Sequence, residues 1–248
     1  MILSPLEQFQ IISIIPLEIF NMNISLTNSS IMMLIVLFFL IISFNNAILN
    51  NKIIPIRKQA FIESLYEFVY TLVYENIGNK GNKYFPFIFV LFIYILACNL
   101  LGMIPYSFTV TSHIIVTFFL SLSIFIGVTI IGFMHHGIHF FSFFLPAGSP
   151  TVLAPFLVVI ELISYTSRAF SLAIRLFANM MSGHSLLKIL AGFAWTMLSV
   201  GGIFYFIQLV PLIVVFLITG LELGIAMLQA YVFTVSTCIY LNDSINLH

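Results

Sequence analysis

Long apolar runs alternate with short polar connections along this chain, and the polar intervals set the element boundaries. Ile31–Leu49 carries no charge and is long enough, as a helix, to cross a hydrocarbon core about 30 Å thick. Tyr84–Ile104, closed by Pro105, predicts a second span, and Ile114–Phe133, ending at Met134-His135-His136-Gly137, a third. An aromatic loop, Ile138–Pro150, follows. Between the first two spans lies the polar stretch Asn50–Lys83. Within it, Ile56–Ile77 places apolar Phe61, Leu65, Phe68 and Leu72 at helical spacing, with Glu63, Glu67 and Glu75 largely on other faces. That pattern predicts a helix lying on the membrane surface rather than crossing it.

The last hundred residues read differently. No proline interrupts between Pro155 and Pro211, and two apolar segments emerge, roughly Ala154–Leu198 and Ile203–Leu241. Each approaches about 60 Å as a helix, roughly twice the hydrocarbon thickness. Such helices either break or run steeply tilted as a hairpin, and the polar spacing along them favours tilt. Gly183, Gly192 and the Gly201-Gly202 pair offer bends and the turn. The expected fold is an all-α polytopic membrane protein with about five membrane helices and one amphipathic surface helix. Its regions are an N-terminal segment (1–30), three spans plus a surface helix at 55–77 (31–150), and the long hairpin (151–248). No sequence repeat or low-complexity tract is present.

Composition sharpens this picture. The 248 residues are 61% hydrophobic and only 6% charged, and the mean hydropathy of +1.17 excludes an ordinary soluble domain. Net charge is zero, which leaves no electrostatic footprint for nucleic acid. Five of the eight basic residues, Lys52, Arg57, Lys58, Lys80 and Lys83, sit in one loop. The positive-inside rule puts that loop in the cytoplasm or the mitochondrial matrix and the N-terminus on the opposite side. Neither a secretory signal nor an Arg-rich transit peptide is expected at the N-terminus. Cys98 and Cys238 lie in apolar runs as packing thiols, without metal or disulfide spacing.

Against this background Arg175 stands out. A guanidinium at membrane depth costs several kcal/mol at least and cannot shed its proton. Glu161, Arg168 and Arg175 follow one another at steps of seven residues, close to two helical turns, so they share one helix face. Asn179 comes one turn after Arg175, and His184 and Lys188 follow. On the second long helix Glu222 and Gln229 are again seven apart, and Asp243 stands near its end. If the first helix starts inside, Arg175 is near the membrane middle. His184 and Glu222 then approach it from outside, and Glu161 and Asp243 from inside. Chains of intramembrane carboxylates and histidines mark proton relays, whereas an arginine suits an electrostatic barrier or a counter-ion.

Blander readings exist for several of these residues. Arg168 either snorkels or pairs with Glu161, and Lys188 reaches for an interface. Asn179 and Gln229 also suit interhelical hydrogen bonding. His135, His136 and His139 mark a membrane edge, and His113 the outer edge of its span. No phosphate-binding GxxxxGK[ST] motif is present.

The run Ser171-Leu-Ala-Ile-Arg-Leu-Phe-Ala-Asn-Met-Met-Ser-Gly-His184 resembles the signature of subunit a of the F-type ATP synthase. Asn99-Leu-Leu-Gly-Met-Ile-Pro-Tyr106, Leu145-Pro-Ala-Gly148, Glu161-Leu-Ile-Ser-Tyr165 and Leu221-Glu-Leu-Gly-Ile-Ala226 agree with it, and the likeness weakens before about residue 50. The resemblance implies a hairpin curved against a rotating ring of c subunits. It implies Arg175 as the arginine facing the ring carboxylates, and His184 and Glu222 with Asn179 and Gln229 in the inlet half-channel. Glu161, Tyr165 and Asp243 match the outlet half-channel on the ATP-producing side.

The implied partners are the c-ring, the peripheral stalk, other membrane-sector subunits, lipid and protons. No cofactor, metal or chemical active site of its own is implied. The C-terminal run Tyr240–His248 and the segment Ser185–Met197 look like mitochondrial members of plant, algal or protist type, which points to the inner membrane. Bacterial plasma-membrane members are close. Ser4-Pro5 resembles the start left in some members after a short leader is removed. A redox-linked respiratory proton pump is the alternative class, but it calls for axial histidine pairs or repeated Lys and Glu sets, and neither pattern is here.

Overall fold

The computed structural model describes residues 4–19, 22–23, 25–49, 54–104, 107–144, 153–200 and 209–246. The expected turn at Gly201-Gly202, the Leu145-Pro-Ala-Gly148 stretch, Pro105 and Lys52 lie outside the described residues. Among the described residues six α-helices carry the architecture: α1 (Asn28–Leu49), α2 (Arg57–Ile77), α3 (Phe85–Gly102), α4 (Ile114–His136), α5 (Ala154–Val200) and α6 (Leu209–Ile245). Five of them, all but α2, are long and apolar enough to cross a membrane, so this is an all-α polytopic membrane protein.

Local chemistry explains where the helices begin and end. At the start of α1, Thr27 Oγ1 accepts from the Ser30 N–H at 3.4 Å while Ser30 Oγ accepts from the Thr27 N–H at 3.0 Å. This is a capping box with a serine in place of the usual acid. Gly78, at φ 74°, ends α2, and its N–H bonds the Tyr74 carbonyl. Gly137, at φ 56°, ends α4. The helices α5 and α6 accept Pro155 and Pro211 because both fall in the first turn, where a missing N–H leaves no bond unmade.

The structure departs from the sequence reading in three places. The N-terminal segment contains a 3-10 helix, Pro5–Phe9, and four short strands: β1 (Ser13–Ile15), β2 (Glu18–Ile19), β3 (Met22–Asn23) and β4 (Leu26–Thr27). Strand β1 pairs antiparallel with β4, and β2 with β3. The expected loop after α4 is a 3-10 helix over Gly137–Phe144. The buried stripe of α2 is Val69, Leu72, Val73 and Ile77, whereas Phe61 and Phe68 are exposed.

The chain divides into two compact units, each made of interleaved segments. The first comprises Met1–Leu49, Ile93–His113 and Phe177–Ala230, and the second Asn50–Phe92, Ile114–Leu176 and Tyr231–His248. In the first unit, Asn99 is fully buried and its Nδ2 donates to the Ala226 carbonyl at 3.2 Å, tying α3 to α6. In the second, Tyr66 packs edge-on against Phe85 and Phe89, holding α2 on α3. There too Ser121 Oγ donates to the Ala169 carbonyl at 2.5 Å, and Phe118 meets Phe170 at 5.1 Å, closing α4 on α5. Cys98 and Cys238 are buried and free, as packing thiols.

Candidate functional site

The first unit brings together His184 on α5 and Glu222 on α6. His184 Nε2 stands 3.6 Å from Glu222 Oε1, and the Glu222 side chain is only 3% exposed. The distance exceeds a good hydrogen bond. Neither Glu222 oxygen, nor His184 Nε2, has a hydrogen-bond partner among the described residues. Buried polar atoms left this way are costly, and they are retained where a proton or a water completes them.

Gly183 makes the approach possible. A Cβ there would lie 2.5 Å from Glu222 Oε1 and 2.8 Å from its Cδ. One turn earlier, Asn179 Nδ2 donates to Gln229 Oε1 at 2.9 Å. Gln229 is itself buried, and its Nε2 has no partner among the described residues. The seven-residue step from Glu222 to Gln229 thus puts both on the buried face of α6, with Ala226 between them fully buried.

The second unit holds the other set. Arg168 Nη1 bonds Asp243 Oδ2 at 2.8 Å, and both side chains are roughly three-quarters covered. The guanidinium also lies over the rings of Tyr165, at 5.8 Å, and Tyr240, at 5.4 Å. The sequence offered Arg168 a choice between snorkelling and pairing with Glu161, but the structure pairs it with Asp243. Residues seven apart on a helix are about 10.5 Å apart along its axis, whereas a facing carboxylate can be reached directly.

Tyr165 is buried, with Phe140 beside it and Phe125 and Val158 packed against the pair. Glu161 is half-buried. Arg175 is exposed on α5 and makes no ion pair or hydrogen bond with any described residue. Sequence reasoning missed Tyr240, because a tyrosine in an apolar run carries no signal of its own. Asp243 as the partner of Arg168 was equally hidden, since the two lie 75 positions apart.

The histidines at the end of α4 are structural contacts. Tyr84 Oη and His135 Nε2 are 3.2 Å apart, and His136 Nε2 is 3.1 Å from the Ile245 carbonyl. His113 closes the short 3-10 turn Val110–Ser112, its N–H bonding the Val110 carbonyl, and stacks on Phe108 at 5.1 Å; burial holds its pKa below the ordinary value. Among the described residues no group of three or more His, Cys, Asp or Glu side chains could hold a metal ion.

Comparison with known proteins places the chain in a family. Residues 26–242 match the family described as ATP synthase A chain. The chain is 59% identical to ATP synthase subunit a of Marchantia polymorpha, over 99% of each chain. It is 60% identical to that of Brassica napus, over 99% of this chain and 97% of the relative. It is 55% identical to that of Chondrus crispus, over 100% of this chain and 98% of the relative. By that match and these identities, this chain, with its five candidate membrane helices among the described residues, belongs to the ATP synthase A chain family.

Proposed function

We propose that this chain is the static proton-channel subunit of an F-type ATP synthase, working in the mitochondrial inner membrane against a ring of c subunits. The observation that carries the reading is Arg175. It is exposed on a membrane helix and has no partner among the described residues of its own chain. An unneutralised guanidinium in hydrocarbon is too costly to persist, so its counter-charge comes from another chain. A carboxylate presented by a neighbouring membrane helix supplies it.

The surface around Arg175 suits close approach by such a helix. Ser164, Ser167, Ser171, Ala178 and Ser182 are exposed and share helical spacing with Arg175. Small residues let helix backbones come near one another. Ser167 Oγ donates to the Ser164 carbonyl at 2.7 Å, so that hydroxyl is satisfied within its own helix.

A proton from the outer side passes His184 and Glu222 and neutralises a ring carboxylate. The neutral group turns through lipid at low cost. It releases its proton on the other side toward Glu161, Tyr165 and Asp243. Arg175 favours the ionised carboxylate at the interface and blocks direct passage between the two paths. Asn179 and Gln229 hold α5 to α6 beside the inlet. Each proton contributes roughly 2.3 kcal/mol per 100 mV of membrane potential. The N-terminus lies in the intermembrane space and the C-terminus in the matrix, by the loop basicity noted above. The peripheral stalk and other membrane-sector subunits hold the chain still against the ring.

The test is passive proton flux through the complex in liposomes, with the catalytic head stripped and the ring retained, comparing Arg175→Ala with the natural chain. A leak with loss of coupled synthesis supports the barrier. Unchanged flux and unchanged coupling refute it.

A further inference from the structure

We propose that a three-cornered clasp at the end of α6 sets the geometry of Asp243, with His136 and Lys80 as positioning residues for the exit path. This rests on the proton-channel reading above, in which Asp243 lies on that path, and adds two residues to it.

Asp243 sits in the last turn of α6, where backbone carbonyls run out of partners within the helix. Helix ends fray, and a carboxylate in a last turn faces the negative end of the helix dipole. That turn carries no basic residue of its own. Left alone, it would hold the carboxylate only loosely, yet Asp243 meets Arg168 at 2.8 Å.

Contacts from two other elements of the second unit steady the turn. His136, the last residue of α4, has its Nε2 3.1 Å from the Ile245 carbonyl. A carbonyl only accepts, so this nitrogen carries a proton and donates it. Lys80, in the 3-10 turn Gly78–Lys83, donates from Nζ to Asn246 Oδ1 at 2.8 Å. Asn246 passes that hold into the helix. Its N–H donates to the Asn242 carbonyl at 2.8 Å and its Nδ2 to Asn242 Oδ1 at 2.7 Å. The two asparagines therefore bracket Asp243 along the chain. A last contact closes the figure: Tyr84 Oη, just past the 3-10 turn, is 3.2 Å from His135 Nε2. The end of α4, the turn and the end of α6 are thus joined pairwise.

The backbone is shaped for this meeting. Gly78 and Gly137 are the two positive-φ glycines among the described residues. One stops α2 two residues before Lys80, and the other stops α4 directly after His136. Burial of Leu241, Ser244 and Ile245 fastens one face of the turn by packing. Asn242, Asp243 and Asn246 are only half-buried, and hydrogen bonds must fix them instead. Among the described residues, His136 and Lys80 bond to neither Asp243 nor Arg168, so they act through the turn they hold.

The experiment reads passive proton flux through the whole membrane complex in liposomes, with the catalytic head stripped and the ring retained. His136→Leu keeps bulk without the donor, and His136→Gln keeps an N–H at similar reach. The first should lower flux about threefold, within the worth of one net hydrogen bond, and no further than Asp243→Asn does. The second should recover most of it. In a chain already carrying Asp243→Asn, His136→Leu should cost nothing more, because it acts through the group removed. A merely structural His136 would lose flux by the same factor in both backgrounds, without rescue by glutamine, and that result overturns the proposal.

Lys80→Met is the second variant, at an exposed position whose change leaves the core intact. It should lower flux in the natural chain and not in the Asp243→Asn chain. Hydrogen exchange at residues 243–246, corrected for intrinsic rates, should quicken about threefold to tenfold in His136→Leu and recover in His136→Gln. Unchanged protection refutes the clasp. If Asp243→Asn slows flux while the His136 and Lys80 variants change nothing, only this inference fails. If Asp243→Asn is also without effect, the exit reading falls with it.

Discussion

In the first unit the Glu222 carboxylate is buried, with a histidine 3.6 Å away and no hydrogen-bond donor on either oxygen among the described residues. In the second, the Asp243 carboxylate is partly open and is held at 2.8 Å by Arg168, whose guanidinium lies over two tyrosine rings. The residue types are similar, and the same two helices supply them, yet the chemistry differs. An arginine is charged at every accessible pH, so its pair is a fixed dipole with one geometry. A histidine and a carboxylate can both gain and lose protons, so theirs is an exchanging pair. One cluster can change its protonation, and the other keeps a constant local field.

The largest expected effect tests what stands apart from both clusters. Arg175→Ala should bring coupled ATP synthesis to background, measured as synthesis driven by an imposed proton gradient, and retained synthesis would remove the barrier. Glu222→Gln comes next, since a positioned proton-transfer group contributes about 100-fold or more. Proton flux through the head-stripped complex reads it.

Gly183→Ala sharpens the geometric half of the comparison. The new Cβ would push the Glu222 carboxylate, the free end of a flexible side chain, away from its place. Flux should fall about tenfold while the amount of assembled complex, seen on native gels, stays the same. Lost assembly would make Gly183 a packing residue only.

Asp243→Asn should act more gently, lowering flux severalfold and stability by about 1 kcal/mol, as for partly exposed ion pairs. A loss as deep as that of Glu222→Gln would erase the distinction between the clusters. The smallest effect belongs to His113, whose pKa is lowered by burial. A base with a lowered folded-state pKa binds fewer protons folded than unfolded, so its stability contribution is full above about pH 6.5 and is lost as pH falls. The protection factor over residues 107–113, from amide exchange corrected for the intrinsic rate at each pH, should therefore fall between pH 7 and 5.

Much of the fold was legible because its elements are local. An uncharged run such as Ile31–Leu49 has one physical outcome in a bilayer, and α1 spans Asn28–Leu49. The three glutamates of α2 kept it out of the spans, and it is absent from the five candidate membrane helices. The pairing of His184 with Glu222 followed from their depth along two antiparallel segments. What stayed hidden depends on contacts between distant positions. Spacing along α5 pointed Arg168 at Glu161, and nothing in the sequence announces that a facing helix brings Asp243 to 2.8 Å. For α2, periodicity gave the apolar positions, Leu72 among them, but not which of them the chain itself buries. The N-terminal segment was opaque because its order comes from Asn28 and Lys188, whose partners are backbone atoms far away in the chain.

The serines flanking Arg175 have a mechanical consequence. Ser167 and Ser182 donate their hydroxyls to carbonyls three residues back, at 2.7 and 3.3 Å. A neighbour sliding across these two positions finds little hydrogen bonding to form and then to break. Each such bond would add a well about 1 kcal/mol deep, nearly twice the thermal energy, to the profile of every step. If α5 faces a moving ring as proposed above, those two hydroxyls offer it only their acceptor lone pairs, so at these positions α5 grips a passing helix weakly, in contrast to the charge at Arg175.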